Sequence, residues 1–201
     1  MAVIYDSCAF GSGSPRPVLY LWEFGKDSWN ILWRSQADPL WRNSHGRIRF
    51  TGPGLDEFTI ESDSWLVGDG KDSVFHESNP GPHRHFLDTR KLDGDAYRLI
   101  EARTLPSAYN TLVEFIYTLS NNKKDDAAKL VTKPGLVDEA LKLGLVQKPL
   151  SAGWMLSLDH PETELKGPLI ILDGPAVGVK VTFTQRNGQW LINGLTAGTG
   201  H

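Results

Sequence analysis

Cysteine is nearly absent: Cys8 is the only one in 201 residues, which excludes an internal disulfide and a cysteine-rich metal site. No apolar run approaches the eighteen or so residues that a membrane-spanning helix needs. Charge of one sign is lacking too. A net charge of -3 gives no broad attraction for nucleic acid, so none is expected as a partner. The start, Met1 to Cys8, has neither the basic stretch nor the long apolar core of a secretory leader. Also missing are a Gly-x-Ser-x-Gly elbow, a His-Glu-x-x-His helix and a Cys–His arrangement. Thr51-Gly-Pro-Gly54 lacks the Lys-Ser/Thr continuation of a phosphate loop and reads as a turn. No cofactor is expected.

What is present reads as globular: 40% hydrophobic and 22% charged residues are ordinary for a chain with a real core. Val18, Tyr20, Trp22 and Phe24 recur with period two, then Trp29, Ile31 and Trp33 do the same across Gly25-Lys-Asp-Ser28. That pattern predicts a hairpin. Arg47–Phe50 with Glu57–Glu61, and His85–Arg90 with Tyr97–Arg103, repeat the scheme around Gly-containing turns. So do Val179–Gln185 and Trp190–Ile192 around Asn187-Gly188, a pair that tolerates positive φ. Cys8 and the Gly11-Ser-Gly-Ser-Pro15 stretch read as a loose end with an inert thiol.

The period changes at Leu105-Pro106. Tyr109, Leu112, Phe115, Ile116 and Leu119 fall at helical spacing, with Pro106 expected in the first turn. A short helix at Ala127–Val131 and a third from Thr132 to about Leu143, stopped by Gly144, follow. Strands are expected at Trp154–Leu158, Leu169–Leu172, Val179–Thr184 and Trp190–Asn193. The fold class is therefore α+β. A mostly antiparallel domain over 1–104 is followed by a helix-then-antiparallel-sheet domain over 105–201.

This order of elements, with Ala127-Ala-Lys-Leu-Val131 and Phe183-Thr-Gln-Arg-Asn-Gly-Gln-Trp-Leu-Ile192, resembles the NTF2-like superfamily of cystatin-like folds over about residues 105–196. The resemblance implies helices across a concave sheet, a cone that takes a small ligand, and homodimerisation through the C-terminal sheet. The aromatic-flanked Gly turns of the N-terminal half resemble a β-propeller fragment or a β-meander. The pairing of the two halves resembles the outer part of bacterial extracytoplasmic proteins, whose leader would lie upstream; a native Met1 without one points instead to the cytoplasm.

Candidate site residues are few. His76, His83 and His85 cluster with Asp72, Glu77 and Asp88 nearby. His-x-His is one pair toward a zinc site, but a solvated or structural role outweighs it and no metal is expected. Asp63, Asp69, Asp72 and Glu77 lack the ligand order of a calcium loop. Trp41 and Trp65 fall in or beside the polar connections 35–46 and 68–82, where they can form a stacking platform for sugar or peptide. Trp22, Trp29 and Trp33 lie on strands and are expected in the core or at an edge. Arg42, Arg47 and Arg49 can face Glu57, Glu61 and Asp63 across a sheet. An enzyme of the NTF2-like type would draw on Asp159, His160 or Asp173, with Tyr109 or Tyr117, although the first three sit in ordinary turn sequences. The reading that results is a non-catalytic binding or assembly module. It takes an unknown small ligand or protein through Trp41, Trp65, His76, His83 and His85 and the C-terminal concavity. The alternative is an isomerase- or hydrolase-like enzyme.

Overall fold

The computed structural model describes residues 2–8, 15–38, 44–52, 54–63, 71, 74–75, 83–146, 155–156, 169–173 and 178–198. The architecture is α+β: antiparallel sheets, then helices, then a further antiparallel sheet. The chain divides into two compact units, Met1–Val67 with Asn79–Leu105, and Gly68–Ser78 with Pro106–His201.

The first unit holds two sheets of next-neighbour antiparallel strands. One contains β1 (Ala2–Cys8), β2 (Pro15–Phe24) and β3 (Trp29–Arg34); the other contains β4 (Ser44–Phe50), β5 (Glu57–Asp63), β6 (His85–Asp93) and β7 (Ala96–Thr104). The expectation of a loose end at Cys8 is corrected, because Ala2–Cys8 pairs along its whole length with β2. Leu19 and Leu21 of β2 pack against Phe58 and Ile60 of β5 and Tyr97 of β7, so the core lies between the sheets. Phe58 and Tyr97 meet edge to face with ring centres 4.9 Å apart, and Trp33 closes on Tyr97 at 5.6 Å. Such edge-to-face contacts add to area burial because the ring edge and ring face carry opposite partial charge.

Away from this apolar centre the same inner faces become polar. On β6, Phe86, Asp88 and Arg90 alternate inward and are all buried. Arg90 Nη1 donates to Asp38 Oδ2 at 2.6 Å, and Ser62 Oγ donates to Asp88 Oδ2 at 3.0 Å. Leu19 N donates to Ser35 Oγ at 3.1 Å, which fixes the 3-10 turn Ser35–Ala37 that carries Asp38. Arg49 stands opposite Thr59 rather than a carboxylate.

Tyr97 is fully buried and its hydroxyl donates to the Leu55 carbonyl. Burial raises its phenol pKa above the usual value of 10.0, and the Asp56 carboxylate adds to the effect. A raised folded-state pKa means the folded chain holds its proton more tightly than the unfolded one. The stabilising contribution is then complete below pH of about 10 and is lost as pH rises through the folded-state pKa. Tyr97→Phe is therefore expected to remove part of the alkaline loss of stability while costing about 1 kcal/mol at neutral pH for the missing hydrogen bond. Urea unfolding at pH 7 and above pH 10 checks both. An unchanged alkaline slope would place the loss elsewhere.

In the second unit α1 (Ala108–Ser120), α2 (Lys124–Ala128) and α3 (Gly135–Lys142) precede a sheet of β8 (Met155–Leu156), β9 (Leu169–Asp173), β10 (Val179–Arg186) and β11 (Gln189–Ala197), in the order β11-β10-β9-β8. Ser107, not Pro106, starts α1: its side chain accepts from Asn110 N at 3.0 Å, satisfying one of the orphan N–H groups of the first turn. Tyr109, Leu112, Phe115, Ile116 and Leu119 are all buried, and with Ala108, Thr111, Val113 and Thr118 buried as well, more than half of the circumference of α1 is core. The β10–β11 turn has Asn187 at φ 50° and Gly188 at φ 78°, the double positive-φ turn that suits the twist of a two-residue hairpin. β11 is an edge strand whose outer side is partly covered. Val131 bridges to Ile192, with Thr132 N donating to the Ile192 carbonyl at 2.8 Å, and Thr111 Oγ1 donates to the Trp190 carbonyl at 3.1 Å.

Candidate binding surface

The β2–β3 hairpin is where sequence and structure part most clearly. β2 is apolar at both parities from Val18 to Trp22, and its core face is the leucine face, Leu19 and Leu21. Tyr20, Trp22 and Phe24 therefore point to the other side, where Trp22 pairs with Ile31 and Phe24 with Trp29. Phe24 and Trp29 touch, with ring centres 4.9 Å apart at 58°, and Tyr20 and Trp22 follow at 6.3 Å. Phe24 is 61% exposed, Trp29 49% and Ile31 48%. Of the two places expected for these tryptophans, Trp29 takes the edge, on the last strand of its sheet, while Trp33 packs against the core. A register shift between Leu21 and Trp22 puts the two tryptophans of β3 on opposite faces.

From their exposures these three side chains, with the 40% exposed Leu32, present on the order of 300–400 Å² of apolar surface. A patch of this size on one element falls in the range of the largest apolar patch of a typical monomer, which often serves in binding, whereas Leu55, Ile100 and Met155 are exposed singly and need no explanation. The hairpin outruns β1, whose Ala2 pairs with Leu21. Charges of both signs border the stripe: Lys26 and Asp27 in the turn and Arg34 opposite Tyr20 are all exposed.

The residues singled out from sequence fare differently. Trp41, Trp65, His76, Asp159 and His160 lie outside the described residues. His83 and His85 are half-buried at the start of β6, with buried Arg84 between them and its guanidinium 5.9 Å from the Phe86 ring centre. Among the described residues no three His, Cys, Asp or Glu side chains converge as metal ligands. Asp173 is exposed at the end of β9, paired with Met155 of β8. Tyr109 is buried and lies 5.9 Å from Phe75, while Tyr117 is half-buried beneath the Lys71 ammonium at 5.4 Å. Leu112, Phe115, Ile116 and Phe183 belong to one buried cluster with Ile170, Leu172 and Val181 of the sheet. No described helix is long and apolar enough to cross a membrane. No protein-family model, curated protein or solved structure matches the chain.

Proposed function

We propose that the chain is a binding or assembly module without catalysis of its own, and that it engages its partner through the outer face of the β2–β3 hairpin. The single observation that carries this reading is the exposed stripe of Phe24, Trp29 and Ile31, continued by half-buried Trp22, on a hairpin whose opposite face already supplies the core. Water contact with this much aromatic surface is unfavourable, and a partner that covers it recovers that free energy. The second unit is read as NTF2-like, a reading supported by three helices followed by an antiparallel sheet. The packing of Leu112, Phe115, Ile116 and Phe183 into one cluster favours a binding role over an isomerase or hydrolase working in that sheet's concavity.

The test replaces Trp29 with the photo-cross-linker benzoylphenylalanine in the full chain, and Lys180 likewise as an exposed control on β10. Irradiation in a lysate of the source cells is expected to give a discrete adduct from position 29 and none from position 180. Adding Phe24→Ser is expected to cut that adduct at least tenfold, while leaving the urea midpoint of this exposed site nearly unchanged. Equal labelling from both positions overturns the reading.

A further inference from the structure

We infer that the β2–β3 hairpin recruits its partner by strand addition: an extended peptide segment of another protein pairs with the open edge of β3 and lays its alternate side chains on the aromatic stripe. This rests on the binding reading above and deepens it.

Among the described residues the edge is open, and the pairing arithmetic shows which backbone groups face it. β3 is the last strand of its sheet, after β1 and β2. Gly25 N donates to the Ser28 carbonyl at 2.8 Å, which makes Gly25 and Ser28 a hydrogen-bonded pair. Antiparallel pairs alternate between bonded and non-bonded, so Phe24 with Trp29 is non-bonded, Glu23 with Asn30 bonded and Trp22 with Ile31 non-bonded. Side chains approach closest in non-bonded pairs, which agrees with the 4.9 Å between the Phe24 and Trp29 rings. The N–H and C=O groups of Trp29 and Ile31 therefore point away from β2, toward the open side. The residues that expose their side chains are the same ones that offer their backbone.

Two observations decide the occupant. β11, an edge strand of the second unit's sheet, has its outer side occupied by Val131, Thr132 and Thr111, whereas among the described residues no element pairs with the outer edge of Trp29–Ile31. Edge strands are ordinarily blunted by lysine, proline or an inward charge, and Trp29-Asn-Ile-Leu-Trp33 has none of these. The register shift at Leu32 limits the usable edge to Trp29–Ile31. The apolar stripe is about half of the roughly 800 Å² per partner that a stable dimer of globular chains needs, so a second copy is disfavoured. An extended peptide needs less, because main-chain hydrogen bonds supply part of the affinity and the stripe supplies side-chain selectivity. A bilayer surface is disfavoured by Asp27, which lies in the turn at the end of the stripe and would have to be desolvated. Pairing antiparallel to β3 sets the peptide's N-terminal end beside Arg34, where an acidic residue fits, followed by alternating apolar residues.

The probe is a displayed library of random dodecapeptides panned on the full chain and counter-selected on its Phe24→Ser/Trp29→Ser variant. The selected peptide, labelled with fluorescein, is then measured by polarisation in forms N-methylated at one backbone position at a time. Methylation at alternate positions is expected to weaken binding at least tenfold, and methylation at the positions between them less than threefold. Ile31→Pro, which removes an outward N–H and spares the β2 ladder, is expected to weaken binding at least tenfold. Ile31→Thr, which keeps that N–H, is expected to weaken it less. Circular dichroism of each variant confirms folding, and the methylation series needs no variant at all. Should the peptide depend on Phe24 and Trp29 yet be indifferent to which amide is methylated, strand addition is overturned and the binding face stands. Should panning return no peptide sensitive to those two residues, strand addition is overturned, and the cross-linking at position 29 decides separately whether the face binds anything. Concentration-dependent dimerisation of the full chain, abolished by Ile31→Pro, would identify a second copy as the occupant and overturn the peptide assignment, as would binding to zwitterionic vesicles lost in Phe24→Ser/Trp29→Ser.

Discussion

Asp38→Ala is expected to destabilise the first unit by about 3 kcal/mol, although it deletes one small side chain at the end of a 3-10 turn. The reason is its partner. Arg90 sits in the middle of β6, directly opposite Phe58 of β5, with its side chain 1% exposed and the Asp38 side chain 13% exposed. An ion pair on the surface is worth at most about 1 kcal/mol because water replaces either partner cheaply. Here water has little access, so loss of the carboxylate leaves a guanidinium largely desolvated. Arg90 and Asp38 each have further contacts, which keeps the expected figure at the lower end of the range for broken buried pairs.

The same logic fixes the order of a small series. Asp38→Asn retains an acceptor and should cost less than Asp38→Ala. The double replacement Asp38→Leu/Arg90→Met removes both charges together and should cost less than the sum of its parts, with a coupling of about 1–3 kcal/mol. Urea unfolding followed by tryptophan fluorescence is suited to this, since Trp22, Trp29 and Trp33 all report on the first unit. A loss below about 1 kcal/mol for Asp38→Ala would mean that the pair behaves as a surface contact.

How much of this was legible in the sequence depends on whether the deciding partner lay close by. Turns announce themselves locally: Gly94, Gly144 and Gly188 all have positive φ where the sequence places a stop or a hairpin. Strands β2 to β7 and helix α1 follow from period and punctuation in the same way. The inward face of β2 does not, because Val18-Leu-Tyr-Leu-Trp22 is apolar at both parities and the usual preference for buried aromatics chooses the wrong one. β6 breaks the binary pattern with Asp88 and Arg90 at buried positions, and the residues that satisfy them, Ser62 and Asp38, are distant in sequence. β1 carries no alternation of its own and is defined by its pairing with β2. The exposed stripe was visible as a set of aromatics sharing a face; only the packing of Leu19 and Leu21 shows which side of the sheet that face takes. Between Gly68 and Pro82, Val74-Phe75 is the one apolar pair in a polar stretch, a local sign that this connection is anchored.

Replacing residues 68–78 by a Gly-Ser linker of equal length is expected to destabilise the second unit by about 3–4 kcal/mol, an upper figure because denatured chains already bury some of this surface. Val74 is 8% exposed and belongs to the same buried cluster as Leu112, Phe115 and Ile116. Phe75 packs against that cluster and meets the Tyr109 ring at 5.9 Å. Covering one valine and part of one phenylalanine accounts for most of the expected loss. Lys71 Nζ reaches Glu114 Oε2 at 2.6 Å and lies 5.4 Å from the Tyr117 ring centre, but both ion-pair partners are about a third exposed, so this pair adds less than about 1 kcal/mol. Residues 106–201 expressed alone should show the same defect, with exposed α1 surface that binds a hydrophobic dye. A synthetic 68–78 peptide added in trans should restore part of the urea midpoint, and Val74→Ser/Phe75→Ser in that peptide should abolish the rescue. If residues 106–201 unfold at the same urea concentration as the second unit of the full chain, the segment is a passenger on α1, and the helices and sheet of that unit are sufficient by themselves.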